Sequence, residues 1–173
     1  ESGGRTGMTR EQIDQLLEAA LAEYADAQNN LAVVKRVAEL YERKEDWANA
    51  SSFYFWAFHL STSDTSLQRK AAMMDEHRIE EDIRIMQQEL DAMGDVPEAA
   101  EKAGILHDLK VERSRKLTAE ARDRVERNPT DPQLRFEYGQ HLYNAEEYTG
   151  AIPQLQRARN NPHIRTRAIL LLG

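Results

Sequence analysis

Ile79, Ile83, Met86, Leu90 and Met93 follow one another at spacings of 4, 3, 4 and 3. They lie in a stretch, residues 66–93, with no glycine or proline to interrupt it. The spacing is that of a heptad seam on one side of a helix. At 1.5 Å per residue that helix is about 42 Å long. A chain that must house such a rod is built from helices. No segment combines period-2 alternation with flanking hairpin turns, so the pattern predicts an all-α fold without a sheet.

Helical periodicity is nearly continuous elsewhere. Thr9 is a good N-cap with Gln12 as its capping-box partner, and the first apolar stripe is Ile13, Leu16, Leu17, Ala20, Leu21 and Tyr24. This helix should fade at residues 28–30. A second helix is predicted over 31–44, burying Val34, Val37, Ala38, Leu40 and Tyr41. Glu45 and Asp46 make the turn into a third, 47–60, which runs through Ala50, Phe53, Tyr54 and Ala57. Gly94 and Pro97 break the long helix, and Pro97 suits the first turn of the next. That helix should run towards Arg127 with Ala99, Ala103, Leu106, Leu109, Leu117, Ala121 and Val125 along one side. The alternative is a break near Ser114–Thr118, with Thr118 capping a separate helix.

Folding at Gly94–Val96 makes the two long helices an antiparallel hairpin, with Leu90 near Ala99, Met86 near Ala103 and Ile83 near Leu106. Glu80 then falls near Lys110 and Glu76 near Arg113. Residues 75–91 carry seven acids and two bases, and residues 101–127 carry eight bases and six acids. The charges favour this pairing, although each exposed ion pair is worth only about 0–1 kcal/mol.

The strongest signal comes from comparing the chain with itself. Gly139 and Gly173 stand 34 residues apart, and Phe136-Glu137-Tyr138-Gly139 is similar in shape to Leu170-Leu171-Leu172-Gly173. Residues 132–162 place Tyr138, Gly139, Leu142, Tyr148, Ala151, Leu155 and Ala158 at set intervals. Residues 31–64 do the same with Val34, Val37, Ala38, Tyr41, Trp47, Ala50, Tyr54 and Ala57. This pattern resembles the tetratricopeptide repeat family, whose unit is a helix–turn–helix of 34 residues. Arg135 departs from the motif's Trp, Thr62 replaces its closing Pro, and Pro162 falls one residue early. The small residues stand where two helix backbones approach closely.

The two good units start 101 residues apart, close to three periods. The expected architecture is thus a helix–turn–helix solenoid with a long antiparallel hairpin between repeat units. Its parts are a flexible segment, 1–8, an N-terminal helix, 9–30, and a repeat-like unit, 31–64. The hairpin of degenerate repeats, 65–131, follows, then a second unit, 132–165, and the start of a truncated repeat, 166–173. The apolar run 168–172 would be an uncovered edge, and repeat arrays carry polar caps. The expectation is a fragment of a longer array.

Composition excludes much chemistry. There is no Cys, so no disulfide framework, thiolate–zinc site or thiol nucleophile. Its absence fits a reducing cytoplasm and leaves a periplasm open. The apolar runs are too short to span a bilayer, and the polar, Gly-rich residues 1–7 do not have the pattern of a secretory signal. A net charge of −7 argues mildly against nonspecific nucleic-acid binding, and a mean hydropathy of −0.73 fits helices with wide solvated faces. His77 and Glu81 share a helix face and could give two metal ligands, and His107-Asp108 could face the same region; Met74 stands where a di-iron Glu-x-x-His motif needs its Glu. No phosphate-cradling loop is present. Basic residues cluster at Lys110, Arg113, Arg115 and Lys116 without interleaved aromatics. The run Phe53-Tyr54-Phe55-Trp56 cannot all face inward, so Phe55 or Trp56 should be exposed.

The family resemblance implies a concave groove, lined by the first helix of each unit, that binds a peptide or helix. It places Lys35, Glu39, Glu42 and Arg43 in the groove of the first unit. In the later unit it places Gln133, Phe136, Gln140, Tyr143 and Asn144 there. Lys35 has Glu39 where carboxylate-gripping relatives carry Asn, which argues against carboxylate capture. The expectation is a non-catalytic interaction scaffold with no cofactor and no metal. Its partner would be a protein or peptide, with no nucleic acid and no membrane insertion in this fragment. The alternatives are self-assembly into a homo-oligomer through the heptad seam, or a metal-dependent function at the His77/His107 region.

Overall fold

The Thr9 hydroxyl accepts from the Gln12 backbone N–H at 3.2 Å, and the Gln12 side chain accepts from the Thr9 N–H at 2.8 Å. This capping box starts the first of eight α-helices among the described residues. The structure is a computed structural model and describes residues 7–173; residues 1–6 of the expected flexible segment 1–8 lie outside the described residues. The helices are α1 (Arg10–Asp26), α2 (Leu31–Lys44), α3 (Trp47–Leu60), α4 (Thr65–Met93), α5 (Pro97–Arg127), α6 (Pro132–Asn144), α7 (Tyr148–Ala158) and α8 (Arg165–Leu172). No strand occurs among the described residues. The chain is all-α. It divides into two compact units, one ending at Asp82 and the other running Ile83–Gly173.

In the first unit α1 packs on α2 and α2 on α3. The Asn30 side chain caps α2 by accepting from Ala32 and Val33. Glu45, at φ 61, turns the chain out of that helix, and Asp46 caps α3. Val34, Ala38, Ala50 and Ala57 are fully buried and Tyr54 nearly so. Small side chains at 38, 50 and 57 let the helices approach, while Tyr54 and the valines fill the space between. Leu67, Ala71 and Met74 of α4 join this core. The boundary between the two units falls inside α4, and the first turns of α4 belong to the core of α2 and α3.

Trp56 stands 38% exposed and Phe55 54%, and the Trp56 indole donates to the Gln28 carbonyl at 2.9 Å. Phe53 turns inward, edge-on to Tyr24 and stacked on Tyr41. The helical period cannot bury four consecutive aromatics, and here it turns the third and fourth outward.

In the second unit α6 packs on both α5 and α7, and α7 on α8. Lys102 of α5 pairs with Glu89 near the end of α4, and the Lys110 ammonium donates to the Gln87 amide oxygen at 2.9 Å. The seam residues Ile83, Met86, Leu90 and Met93 are only half-buried. The α5 stripe differs from the expected one. Ala103 is exposed, whereas Val111 and Ser114 are buried. The helix also runs unbroken through Ser114–Thr118. The Thr118 hydroxyl donates to the Ser114 carbonyl at 2.7 Å, an in-helix bond that leaves the backbone ladder intact and removes the reason for a cap there.

Phe136, Leu142, Ala151, Leu155, Ala158, Ile164 and Ala168 form the core of α6, α7 and α8. A Cβ on Gly139 would sit 2.9 Å from both Cγ and Cδ2 of Leu155 and 3.2 Å from Cβ of Gln154. Gly139 thus lets α6 approach α7 closely at Leu155. Gly104, in α5, has nothing within 4 Å of its missing Cβ. One substitution should therefore have opposite signs at two positions. Gly104→Ala should stabilise by about 0.5–1 kcal/mol through helix propensity. Gly139→Ala should destabilise by about 1–2 kcal/mol, because overpacking against Leu155 outweighs the same gain. Urea unfolding of the two variants checks both signs.

Candidate functional site

Three of the four residues expected in the first groove, Glu39, Glu42 and Arg43, line one open cleft together with Lys70 of α4. Its volume is about 420 Å³. Positions 39 and 43 are one helical turn apart, and 42 follows 39 by three, so the helix period sets all three on one side of α2. The Lys70 ammonium lies 2.8 Å from both carboxylate oxygens of Glu42. The Tyr54 hydroxyl donates to the same carboxylate, and Lys70 stands 5.3 Å from the centre of the Tyr54 ring. Burial pushes the Glu42 carboxyl pKa up. The hydrogen bonds from Lys70 and Tyr54, with the charges of Lys70 and Arg43, outweigh that and hold it below its ordinary value. Burial, then the bond to Glu42 and its charge, push the Tyr54 phenol well above its ordinary value.

Glu42 is thus committed within the protein. Glu39 and Arg43 are exposed. Arg43 makes a long contact to the Met8 sulfur at 3.9 Å. Lys35 is half-buried, one turn before Glu39. The Asp64 carboxyl is held below its ordinary value first by the Ser66 hydroxyl and backbone N–H, and in smaller part by the charge of Lys35.

The second set of expected groove residues does not stay together. Phe136 is the clear correction: it is 1% exposed, belongs to the core of α6, α7 and α8, and lies under the Arg167 guanidinium at 4.6 Å. No ligand reaches it. Position 136 falls on the face of α6 turned towards α7, where apolar burial outweighs exposure. Gln133, Gln140 and Asn144 recur by sevens and fours and share another side of α6. Gln133 donates to Glu137 at 3.0 Å. Asn144 lines a cleft of about 420 Å³ with His107, Lys110, Arg113 and Ser114. Tyr143 turns elsewhere, edge-on to Tyr148 at 5.4 Å, beside Ile152 and Leu170.

His77 and His107 each lie against a neighbouring side chain. His77 lies against the Trp47 ring at 4.8 Å, and the Trp47 indole donates to the Glu81 carboxylate at 3.0 Å. His107 lies 3.0 Å from Glu146. Among the described residues no three His, Asp or Glu side chains gather as a metal site. No helix among them is long and apolar enough to cross a membrane.

Lys70 was not foreseen as part of the cleft, nor the Tyr54 hydroxyl as a partner of Glu42. Lys70 stands 28 residues from Glu42, and no local pattern links them. The chain matches no family model, no curated protein and no solved structure.

Proposed function

We propose that this protein is a non-catalytic interaction scaffold of the tetratricopeptide-repeat kind, binding a peptide or helix of another protein in a groove lined by α2 and α4. The observation that carries this reading is the convergence of Glu39, Glu42 and Arg43, chosen from the repeat register, on one cleft with Lys70. Two further features support the repeat register. Ala38, Ala50 and Ala57 are fully buried in the first unit, as is Ala158 in the second, with Ala151 1% exposed. Gly139 lies at a close approach of α6 to α7.

Peptide recognition in a groove draws on a few anchor contacts and on charge register rather than on total area. Glu42 and Lys70 neutralise one another, so Glu39 and Arg43 set the charge a ligand meets. The test is a random-peptide display selection on the purified protein, followed by affinity measurements on the enriched sequences. The paired exchange Glu39→Lys with Arg43→Glu keeps net charge and touches two exposed residues. It should weaken those ligands by about tenfold or more. Enriched peptides that bind the exchanged protein equally well would sink the groove reading.

A further inference from the structure

Glu39 and Arg43 belong to two cavities at once. Besides the polar cleft shared with Lys70, they rim a second cavity of about 290 Å³ between α1 and α2. Its apolar wall is Met8, Leu16, Ala19, Ala20 and Leu40. Leu16 is 46% exposed and Met8 37%, so this wall is open to solvent. The volume sits at the floor of the roughly 300–1,000 Å³ range of small-molecule sites, and so suits one bulky side chain better than a cofactor.

The charges around the cavity are unevenly satisfied. Arg36 pairs with Glu23 at 2.6 Å, and Lys44 with Asp14 at 2.6 Å. Glu42 pairs with Lys70 at 2.8 Å. Glu39 and Arg43 have no ion-pair partner among the described residues, although they stand one turn apart on the same helix. Their Cβ atoms are about 5–6 Å apart at that spacing. The surface thus offers an apolar pocket whose rim carries one unmatched acid and one unmatched base in fixed order.

We infer that the α1–α2 cavity is the anchor subsite of the groove. Its occupant is a peptide segment of another protein that inserts one Leu-, Met- or Phe-sized side chain, flanked by a basic residue that meets Glu39 and an acidic residue that meets Arg43. Charge complementarity selects this occupant: its base and acid give Glu39 and Arg43 ion-pair partners that a purely apolar segment would not supply. The inference rests on the groove reading, and it adds the chemistry of the ligand and a second wall that the repeat register does not supply.

Ala19→Phe tests it separately. Ala19 is exposed, so the larger ring enters the cavity without entering the core. Helical circular dichroism and the unfolding midpoint should be unchanged. Peptides enriched by display on the unaltered protein should share an apolar residue beside an acid and a base. Their affinity for the Ala19→Phe protein should fall by about tenfold or more, as should that of peptides with the apolar residue changed to Ala. Exchanging the acid and base within the peptide should restore binding to the Glu39→Lys/Arg43→Glu protein. If ligands respond to the charge exchange but bind the Ala19→Phe protein undiminished, the groove stands and the anchor subsite is overturned. If no peptide is enriched, both readings fall.

Discussion

Replacing Phe136 by alanine is expected to destabilise the second unit by about 3–5 kcal/mol, the range for removing a fully buried aromatic ring. Phe136 is 1% exposed and packs among Leu142, Leu155, Ile164 and Ala168. The ring fills the space where α6, α7 and α8 meet, so truncation leaves a void that backbone shifts close only in part. The Arg167 guanidinium over the ring adds a smaller loss. Phe136→Leu keeps most of the volume and should cost less than about 1.5 kcal/mol. Guanidinium unfolding followed by circular dichroism measures both. If Phe136 were a groove residue instead, both variants would fold normally and lose only ligand affinity. A loss under about 1 kcal/mol for the alanine variant would overturn its place in the core.

Tyr54→Ala is expected to cost the first unit a similar amount, about 3–5 kcal/mol, and the loss divides in two. Tyr54 is 2% exposed, and its ring packs with Val34, Ala38, Ala50 and Met74. Tyr54→Phe keeps the ring and removes only the hydrogen bond to the charged Glu42, worth about 1.5–3 kcal/mol. The pH dependence separates the two contributions. Glu42 titrates lower in the folded chain than in the unfolded one, so its contribution is complete above the unfolded value near 4.5 and is lost as pH falls through the folded value. Tyr54 titrates higher when folded. Its contribution is complete below the unfolded value of 10.0 and is lost as pH rises towards the folded one. Stability of the natural chain should therefore decline at both extremes. Tyr54→Phe should remove its share of the alkaline decline, leaving the smaller one from Tyr41, whose pKa burial also raises, and should weaken the acid one only in part, because Lys70 still holds Glu42. A Tyr54→Phe variant with an unchanged pH profile would show that the hydroxyl bond contributes nothing.

His141 acts in a window between these. Burial first, then the charges of Arg124 and Arg113, outweigh Glu137 and Glu120 and hold its pKa below the ordinary 6.5. Its neutral form is favoured in the folded chain, so stability falls as pH drops from 6.5 through the folded value.

Much of the architecture was legible in local pattern. Thr9 and Gln12 specify the first helix start by chemistry confined to four residues. The spacing of Val34, Val37, Ala38 and Leu40 marks the buried side of α2 because a helix repeats every 3.6 residues whatever surrounds it. The same logic exposed Phe55 and Trp56. The site was less legible. Glu39, Glu42 and Arg43 share a side of α2 by periodicity alone, but what meets that side is a matter of packing. Phe136 fell on the wrong side of the expectation because a helix period gives relative angles, not which neighbour each angle faces.

The sequence by itself marked most of the helices and their turns, and the small residues at 38, 50, 57 and 139 that permit close approach. These follow from short-range sterics and hydrogen bonding within a turn or two of chain. Only the tertiary structure decided that Lys70 would neutralise Glu42 and Tyr54 donate to it, leaving Glu39 and Arg43 exposed beside an apolar cavity. It also decided that the first turns of α4 would complete the core of α2 and α3. Those outcomes depend on which apolar faces bury each other most completely, a competition among residues far apart in the chain that no local spacing encodes.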